Sequence, residues 1–212
     1  LKVAVKAVKD GLFSVYATTK LQEGDVLEVH PPEGKFILNP QADKNYIAFA
    51  AGSGITPILS MIKTVLEEEP TSNFTLVYGN KTEDSVIFKT ELEQLSALYP
   101  NNFKLHTIFS RENVKNALRG RIDSSVCKYF VKNMYKETSF DSAYLCGPEE
   151  MINEVSETLK ENNFTSENIH FELFTASTDE GDTSEVKDGE TAITILLDDE
   201  ETSFTMQQSD DI

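Results

Sequence analysis

Five short apolar runs between residues 46 and 174 alternate with four helix-like stretches, and this alternation constrains the fold more than any other feature of the sequence. Strands that are separated by single helices predict right-handed βαβ crossovers and therefore a parallel sheet. The runs are YIAFAA, FTLVYG, FKLHTIF, SAYLCG and NIHFELF, and the helix-like stretches cover residues 57–68, 87–98, 123–134 and 149–162. We predict an α/β fold with a five-stranded parallel, Rossmann-like domain over residues 45–176.

The segments on either side of this domain differ from it in composition. Residues 2–8 and 25–29 are rich in β-branched side chains and predict strands, so residues 1–44 are expected to form part of an antiparallel β-barrel. Residues 177–189 have almost no apolar side chains and predict a solvated acidic linker. Two strand-like runs around an acidic turn within residues 190–212 predict a β-hairpin.

Composition excludes several classes of partner. The chain has 36 acidic and 19 basic side chains, a formal net charge of -17, and such a surface repels nucleic acid and anionic membranes. No apolar run approaches the roughly 20 residues that span a bilayer. Two cysteines without a leader sequence predict a cytoplasmic protein with free thiols and no zinc or iron-sulfur site. The start at Leu1, inside a strand-like run, also predicts that the chain is part of a longer protein.

The most informative motif is AFAAGSGITP at residues 48–57, where an apolar strand leads into two glycines and then a helix. Gly52 and Gly54 permit a tight turn and close approach of a ligand to the backbone. Thr56 is expected to cap the helix and Pro57 to occupy its first position. The amides at such a helix start suit a pyrophosphate. The alternative is a turn that merely needs glycines, since Pro57 stands where the GxGxxG pattern has its third glycine.

Two further motifs have the same strand-or-turn-to-helix character. In GLFS, Gly11 precedes a helix start at which Ser14 would donate to a phosphate oxygen, although an ordinary turn has the same pattern. In YLCGPEEM, a strand ends at Cys146, and ligands of open α/β sheets gather beyond the carboxyl ends of strands. Cys146 is thus expected near Gly52, or alternatively to pack as a small buried hydrophobe.

All three arginines of the chain lie in one short segment, at Arg111, Arg119 and Arg121. The forked guanidinium group suits a phosphate such as the 2′-phosphate of NADP. The alternative is ordinary surface ion pairing with Glu112 and Asp123.

Taken in order, GLFS, PPEGKF, AAGSGITP, YGNKT, FSRE, YLCGPEEM and FELF resemble the ferredoxin-NADP reductase superfamily, and within it the phenylacetate-degradation oxidoreductases. Those proteins contain a FAD-binding barrel, an NADP domain, an acidic linker and a plant-type [2Fe-2S] ferredoxin. The resemblance implies that residues 1–44 belong to the barrel and residues 190–212 to the start of the ferredoxin domain. It also implies hydride transfer from NADPH to FAD, and then single-electron transfer through the [2Fe-2S] centre to an oxygenase component, that of a phenylacetyl-CoA epoxidase.

The resemblance further implies roles for individual residues. The residues expected around the FAD pyrophosphate are Gly11, Leu12, Phe13 and Ser14. Those expected around the nicotinamide nucleotide are Gly52, Ser53, Gly54, Thr56 and Pro57. The 2′-phosphate would be held by Ser110 and Arg111, with Arg121 nearby. The residues expected beside the nicotinamide and the flavin are Cys146, Gly147, Pro148, Glu172 and Phe174, of which Cys146, Glu172 and Phe174 would make the catalytic contacts.

The sequence departs from the family pattern in three ways. The R-x-Y-S flavin motif would precede Leu1 and the cluster-binding cysteines would follow Ile212, so we expect weak or absent FAD binding and no [2Fe-2S] cluster in this chain. The usual arginine after YGN is Lys81, which lacks the fork. The alternative function is a non-catalytic NADP(H)-binding module whose acidic tail docks a partner. An NAD-dependent dehydrogenase is less favoured, because no acidic residue ends the strand FTLVYGN.

Overall fold

The computed structural model describes residues 3–31, 33–173, 190–197 and 200–207. The chain divides into two compact units, Leu1–Thr175 and Ala176–Ile212. The strands of the first unit are β1 (Asn45–Ala51), β2 (Asn73–Asn80), β3 (Phe103–Phe109), β4 (Leu118–Arg119), β5 (Ser142–Gly147) and β6 (Ile169–Leu173). Its helices are α1 (Leu12–Thr19), α2 (Ile55–Glu68), α3 (Lys89–Leu98), α4 (Ser124–Lys128) and α5 (Glu149–Lys160), with a π-helical segment, Tyr129–Met134, after α4.

The six strands form one sheet in the order β4-β3-β2-β1-β5-β6, and all neighbouring pairs are parallel. The chain moves outward from β1 through β2 and β3 to β4, and then returns to the other side of β1 as β5. This reversal creates a topological switch point between β1 and β5. The predicted α/β fold and its five parallel strands are therefore confirmed. The sixth strand, β4, has only two residues, too few for a recognisable apolar run.

Apolar clusters cover both faces of the sheet. Alternate residues of β1 belong to opposite clusters: Ala48 and Ala50 pack with α2, whereas Ile47 and Phe49 pack with α5. Because neither face of the central strands meets water, these strands have continuous apolar sequences instead of alternating ones. The α5 residues that face the sheet are Met151, Ile152, Val155 and Leu159. This arrangement leaves the ends of the strands as the places where polar chemistry is possible.

Helix α2 begins two residues earlier than predicted. A 3-10 turn, Gly52–Gly54, precedes it, and the first helical residue is Ile55. Thr56 does not cap the helix, because its hydroxyl donates to the Ser53 carbonyl at 3.0 Å. Pro57 is the third helical residue, still within the first turn, where amides have no intrahelical acceptor. The predicted capping role of Thr56 and first-position role of Pro57 are wrong, although Pro57 still gives up no hydrogen bond.

The residues before β1 form one helix, and among those that are described they form no strand. Helix α1 begins directly after Gly11, as the GLFS motif predicts. The segments predicted as strands, 2–8 and 25–29, join no sheet in the described part of this region, because no neighbouring segment supplies a ladder of backbone partners. The assignment of residues 1–44 to a barrel stays a prediction.

The second unit contains an antiparallel hairpin of β7 (Glu190–Leu197) and β8 (Glu200–Gln207). The hairpin predicted after the linker is confirmed, and its assignment to a ferredoxin domain stays a prediction. The predicted linker, residues 177–189, lies outside the described residues. Across the part of the chain that is described, no helix combines the length and the apolar character needed to cross a bilayer.

Candidate functional site

The carboxyl ends of all six strands lie along one edge of the sheet. The register pairs Ala50 with Cys146 across the switch point, and Asn80 with Phe109 between β2 and β3. With parallel neighbours spaced about 4.8 Å apart, the ends of β3 and β5 are about 14 Å from each other. Gly52, Ser110 and Cys146 therefore lie at the same edge of the sheet, as the sequence predicts.

The two glycines of the GSG turn have separate structural causes. Gly52 has φ of +55°, a left-handed conformation that side chains rarely adopt. At Gly54, a Cβ atom would lie 2.1 Å from the Cys146 carbonyl oxygen, so the start of α2 packs directly on the backbone of β5. Only glycine permits that approach. It brings the positive end of the α2 dipole to the switch point.

The Tyr78 side chain holds the GSG turn in place through a hydrogen bond. Its hydroxyl donates to the Gly52 carbonyl at 2.9 Å. Burial raises the pKa of Tyr78 to about 12, so the hydroxyl stays a donor at neutral pH. Sequence reasoning did not identify this residue. The available signal was one polar tip at the end of the apolar run FTLVYG.

The cysteine of β5 is part of the core. Cys146 has no exposed surface and packs in the cluster that contains Ala50 and Ile55. Burial, with a contribution from the Glu172 carboxylate, raises the pKa of its thiol to about 12. The thiol is thus neutral and packs as a small hydrophobe, which was the alternative interpretation. The Cys146 thiol is therefore not placed to contact a ligand in this structure. The end of β5 offers backbone atoms instead.

The end of β6 lies next to that of β5. Glu172 is half-buried and pairs in register with Cys146, and Leu173 pairs with Gly147. Phe174 lies outside the described residues. Pro148 follows Gly147 and precedes the first residue of α5. The catalytic roles of Glu172 and Phe174 stay predictions.

The arginine segment lies beside the ends of β2 and β3. The Ser110 amide donates to the Asn80 carbonyl at 3.0 Å, and the Arg111 amide to the Lys81 carbonyl at 2.9 Å, so pairing continues beyond the two strands. The Gly120 amide donates to the Phe109 carbonyl at 3.0 Å, which holds the β4 segment against β3. Four cationic residues consequently come together at these ends and define a cationic cluster: Lys81, Arg111, Arg119 and Arg121.

The members of the cationic cluster are exposed, and none of them is in an ion pair among the described residues. The two carboxylates considered as their partners accept backbone hydrogen bonds instead. Glu112 accepts from the Glu83 amide at 2.8 Å, and Asp123 accepts from the Val126 amide at 2.8 Å. The surface ion pairing considered for the arginines is therefore not observed. The cluster is available to an anionic ligand.

The GLFS motif forms a compact helix start. The Ser14 hydroxyl accepts from the Val8 amide at 3.1 Å, and a Cβ atom at Gly11 would lie 2.5 Å from that hydroxyl oxygen. Leu12 and Phe13 are 94% and 58% exposed, so they present apolar surface.

The segment that precedes α1 also supplies a cation to the site. The Lys6 ammonium lies 3.5 Å from the position that a Cβ atom of Gly52 would occupy, beside the GSG turn. No motif had singled out Lys6.

The chemistry that this edge offers is binding and orientation. Across the described residues, no group of three or more His, Cys, Asp and Glu side chains could hold a metal ion. The GSG turn places backbone groups at the start of α2, and the cationic cluster places positive charge to one side of this turn. This combination suits a ligand that carries phosphates at both places.

Comparison with known proteins agrees with this geometry. Residues 49–157 match the family described as oxidoreductase NAD-binding domain. The chain is 41% identical over 177 residues to one of the subunits of 1,2-phenylacetyl-CoA epoxidase of Escherichia coli (strain K12), which covers 82% of this chain and 50% of that protein. It is 32% identical over 175 residues to the ferredoxin reductase component of 3-ketosteroid-9-alpha-monooxygenase of Rhodococcus rhodochrous, covering 82% and 46% respectively.

Among solved structures, the CS-b5R domains of human Ncb5or in an NAD+ form superpose with a TM-score of 0.68 at 26% identity, over 79% of this chain and 47% of that chain. The chain spans half or less of the length of these curated relatives.

Proposed function

The chain belongs to the oxidoreductase NAD-binding domain family of the ferredoxin-NADP reductase superfamily, and we propose that it is the NADPH-binding part of a flavin-dependent oxidoreductase. The proposed overall reaction is oxidation of NADPH, with electrons passed through FAD and a [2Fe-2S] centre to an oxygenase component. The names of two relatives, one belonging to a phenylacetyl-CoA epoxidase and the other to a monooxygenase as its reductase component, support this class of acceptor. The proposed acceptor is the oxygenase component of a phenylacetyl-CoA epoxidase, in the cytoplasm.

The single observation that carries the proposal is the combination of the GSG turn at the switch point with the cationic cluster on one side of it, whose members form no ion pair with any residue that the structure describes. A Cβ atom at Gly54 would meet the Cys146 carbonyl, so the turn can form only with glycine there and keeps the helix start at the crevice. The proposed NADPH has its pyrophosphate at this turn and its 2′-phosphate at Ser110 and Arg111. Arg121 contributes long-range attraction.

The residues near the nicotinamide would orient and enclose it. Hydride transfer needs two rings held in contact and no proton donor or acceptor, so positioning is the main catalytic requirement. FAD, when bound, would accept two electrons at once and release them singly. The helix start at Gly11 and the exposed Leu12 and Phe13 fit a partial site for its pyrophosphate. Glu172 and Phe174 are proposed to approach the flavin.

The proposal is tested by the nucleotide preference of Arg111→Ala. Loss of a charged hydrogen-bond donor is expected to weaken NADPH binding by about 1.5 to 3 kcal/mol and to leave NADH nearly unaffected. Isothermal titration calorimetry with each nucleotide measures both. Equal losses for both nucleotides would remove Arg111 from the phosphate.

A matched control is Lys136→Ala, which also removes one exposed cation. Lys136 lies between the π-helical segment and β5, and a segment that leads into a parallel strand lies at the opposite, amino-terminal edge of the sheet. This variant should bind both nucleotides like the wild type.

A second experiment separates the flavin-dependent reductase from the non-catalytic NADP(H)-binding module. Titration with FAD and NADPH in the presence of a dye acceptor distinguishes them, because a non-catalytic binding module would show nucleotide affinity without turnover.

A further inference from the structure

Glu112 follows Arg111 in the chain but does not pair with it. Its carboxylate accepts a hydrogen bond from the Glu83 amide at 2.8 Å, across to the segment that follows β2. We propose that Glu112 is a positioning residue that sets the preference for the 2′-phosphorylated nucleotide by holding Lys81 next to Arg111. This inference rests on the proposed function and adds a residue that determines its specificity.

Three hydrogen bonds connect the end of β2 and the segment after it with the segment that follows β3. Two join backbone to backbone, from Ser110 to Asn80 and from Arg111 to Lys81. The third, from the Glu83 amide, is accepted by the Glu112 side chain. The two backbone bonds form with any side chains, whereas the third depends on the identity of residue 112. Substitution of Glu112 therefore removes one hydrogen bond and leaves the two backbone hydrogen bonds in place.

The segment that Glu112 holds is itself a rigid unit. Residues Glu83–Ser85 form a 3-10 turn, and Thr82 and Ser85 form a reciprocal capping box around it. The Lys89 ammonium contacts the Glu83 carboxylate at 2.9 Å and connects the turn to α3. Lys81 thus lies between the Arg111 contact on one side and a turn anchored through Glu83 on the other. Loss of the Glu112 contact would free the turn to shift, and because Lys81 leads directly into the turn, its side chain would reorient relative to Arg111 although the backbone bond between Arg111 and Lys81 stays.

Charge and position predict opposite effects for this residue, which makes the inference testable by sign. A carboxylate beside a phosphate site repels the ligand, so its removal should strengthen phosphate binding if charge alone matters. If Glu112 acts by position, its removal should weaken phosphate binding in spite of the lost repulsion. Glu112→Gln separates the two effects, because the amide oxygen still accepts from the Glu83 amide but the negative charge is gone.

The experiment measures the ratio of the dissociation constants of 5′-AMP and 2′,5′-ADP by calorimetry for the wild type, Glu112→Ala and Glu112→Gln. The expected result is a three- to tenfold lower preference for 2′,5′-ADP in Glu112→Ala, the range for one misplaced charge-assisted contact at a partly exposed site. Glu112→Gln should match or exceed the wild-type preference. Glu137→Ala, which removes a carboxylate paired with Lys136, is the charge control and should leave the ratio unchanged.

A second measurement reports directly on the hydrogen bond between the Glu83 amide and the Glu112 carboxylate. Hydrogen exchange of the Glu83 amide, measured by NMR, should accelerate in Glu112→Ala and stay near the wild-type rate in Glu112→Gln. Faster exchange without a change in the binding ratio would show a merely structural role and overturn the inference, as would a higher preference for 2′,5′-ADP in Glu112→Ala. A wild-type protein that binds 5′-AMP and 2′,5′-ADP equally would overturn the proposed function and this inference with it.

Discussion

The contact between Gly54 and the end of β5 predicts a large effect of a single added methyl group. In Gly54→Ala, the new Cβ atom would lie 2.1 Å from the Cys146 carbonyl oxygen and 2.5 Å from its carbon, whereas ordinary contact needs 3.4 Å or more. The opposing atoms belong to the backbone of a central strand, so no side-chain rotation relieves the overlap. Either the start of α2 or the end of β5 has to move by about 1 Å, against close packing on both sides of the sheet.

Overpacking of a core typically costs about 1 to 3 kcal/mol, and a rigid backbone neighbour favours the upper end of that range. We therefore expect Gly54→Ala to lower the free energy of unfolding by about 3 kcal/mol. The same displacement separates the GSG turn from β5, so the affinity for NADPH and NADH should fall together. A parallel loss distinguishes this variant from Arg111→Ala, which affects the phosphorylated nucleotide alone.

Urea denaturation followed by far-UV circular dichroism measures this loss in a chain without tryptophan. Gly79→Ala is the control for an added methyl group, since its Cβ would crowd a side chain, at 3.1 Å from Ile122 Cδ1 and 3.3 Å from Cγ1, and would be in ordinary contact with backbone, at 3.8 Å from the Ala50 carbonyl oxygen. Gly52→Ala is the control for backbone strain, because Gly52 has φ of +55° but nothing except Lys6 near its Cβ position, and it should cost about 1 to 2 kcal/mol. A Gly54→Ala protein within 1 kcal/mol of the wild type would refute the reasoning.

Three more predictions follow from buried polar groups. Burial raises the pKa of the Cys127 and Cys146 thiols to about 12, so iodoacetamide should modify neither until urea unfolds the protein, and mass spectrometry showing rapid native alkylation would contradict this. Burial, with the nearby Lys104 ammonium, lowers the pKa of His106, so the folded state binds fewer protons than the unfolded state. Stability should fall as the pH drops below about 6.5, by at most about 1.4 kcal/mol per pH unit, and His106→Gln should flatten this slope in denaturation experiments. Tyr78→Phe removes a buried donor and should lower the free energy of unfolding by about 1 kcal/mol, and an unchanged denaturation midpoint would contradict that role.

Strands β1, β2, β3, β5 and β6 could be predicted from the sequence because each is a short apolar run bounded by turn residues, whereas β4 has only two residues and the strand-like segments 2–8 and 25–29 have no partner strand in the described part of the chain. The first residue of α2 could not be predicted as accurately. Thr56 and Pro57 favour a helix start locally, but the tertiary contact of Gly54 with β5 extends the helical turn back to Gly52. The side of the sheet on which the Cys146 thiol lies could not be predicted either, because β5 is buried on both faces and its sequence gives no indication of which side α2 covers.

The convergence of the candidate residues could be predicted for a different reason. In a parallel sheet all carboxyl ends meet at one edge, so any motif that follows a strand is brought there by topology alone. The contacts that tune the site depend instead on pairs far apart in the chain, such as Glu112 with Glu83 and Tyr78 with Gly52. Neither partner is unusual in its own segment. Such pairs become visible only when the register between neighbouring strands is known.

The distribution of charge would let so acidic a chain bind the proposed anionic nucleotide in one orientation. A net charge of -17 repels anions at a distance, but ions screen exposed charges beyond about 8 to 10 Å, so the local cluster decides the outcome at the site. The cationic cluster occupies the β2, β3 and β4 side of the switch point, whereas the residues that follow β5, Pro148 to Glu150, include no basic side chain. The phosphorylated ribose should therefore lie over β2 and β3 and the uncharged nicotinamide over β5 and β6. The strand order, together with the confinement of all three arginines to one segment, would set the direction of the proposed nucleotide.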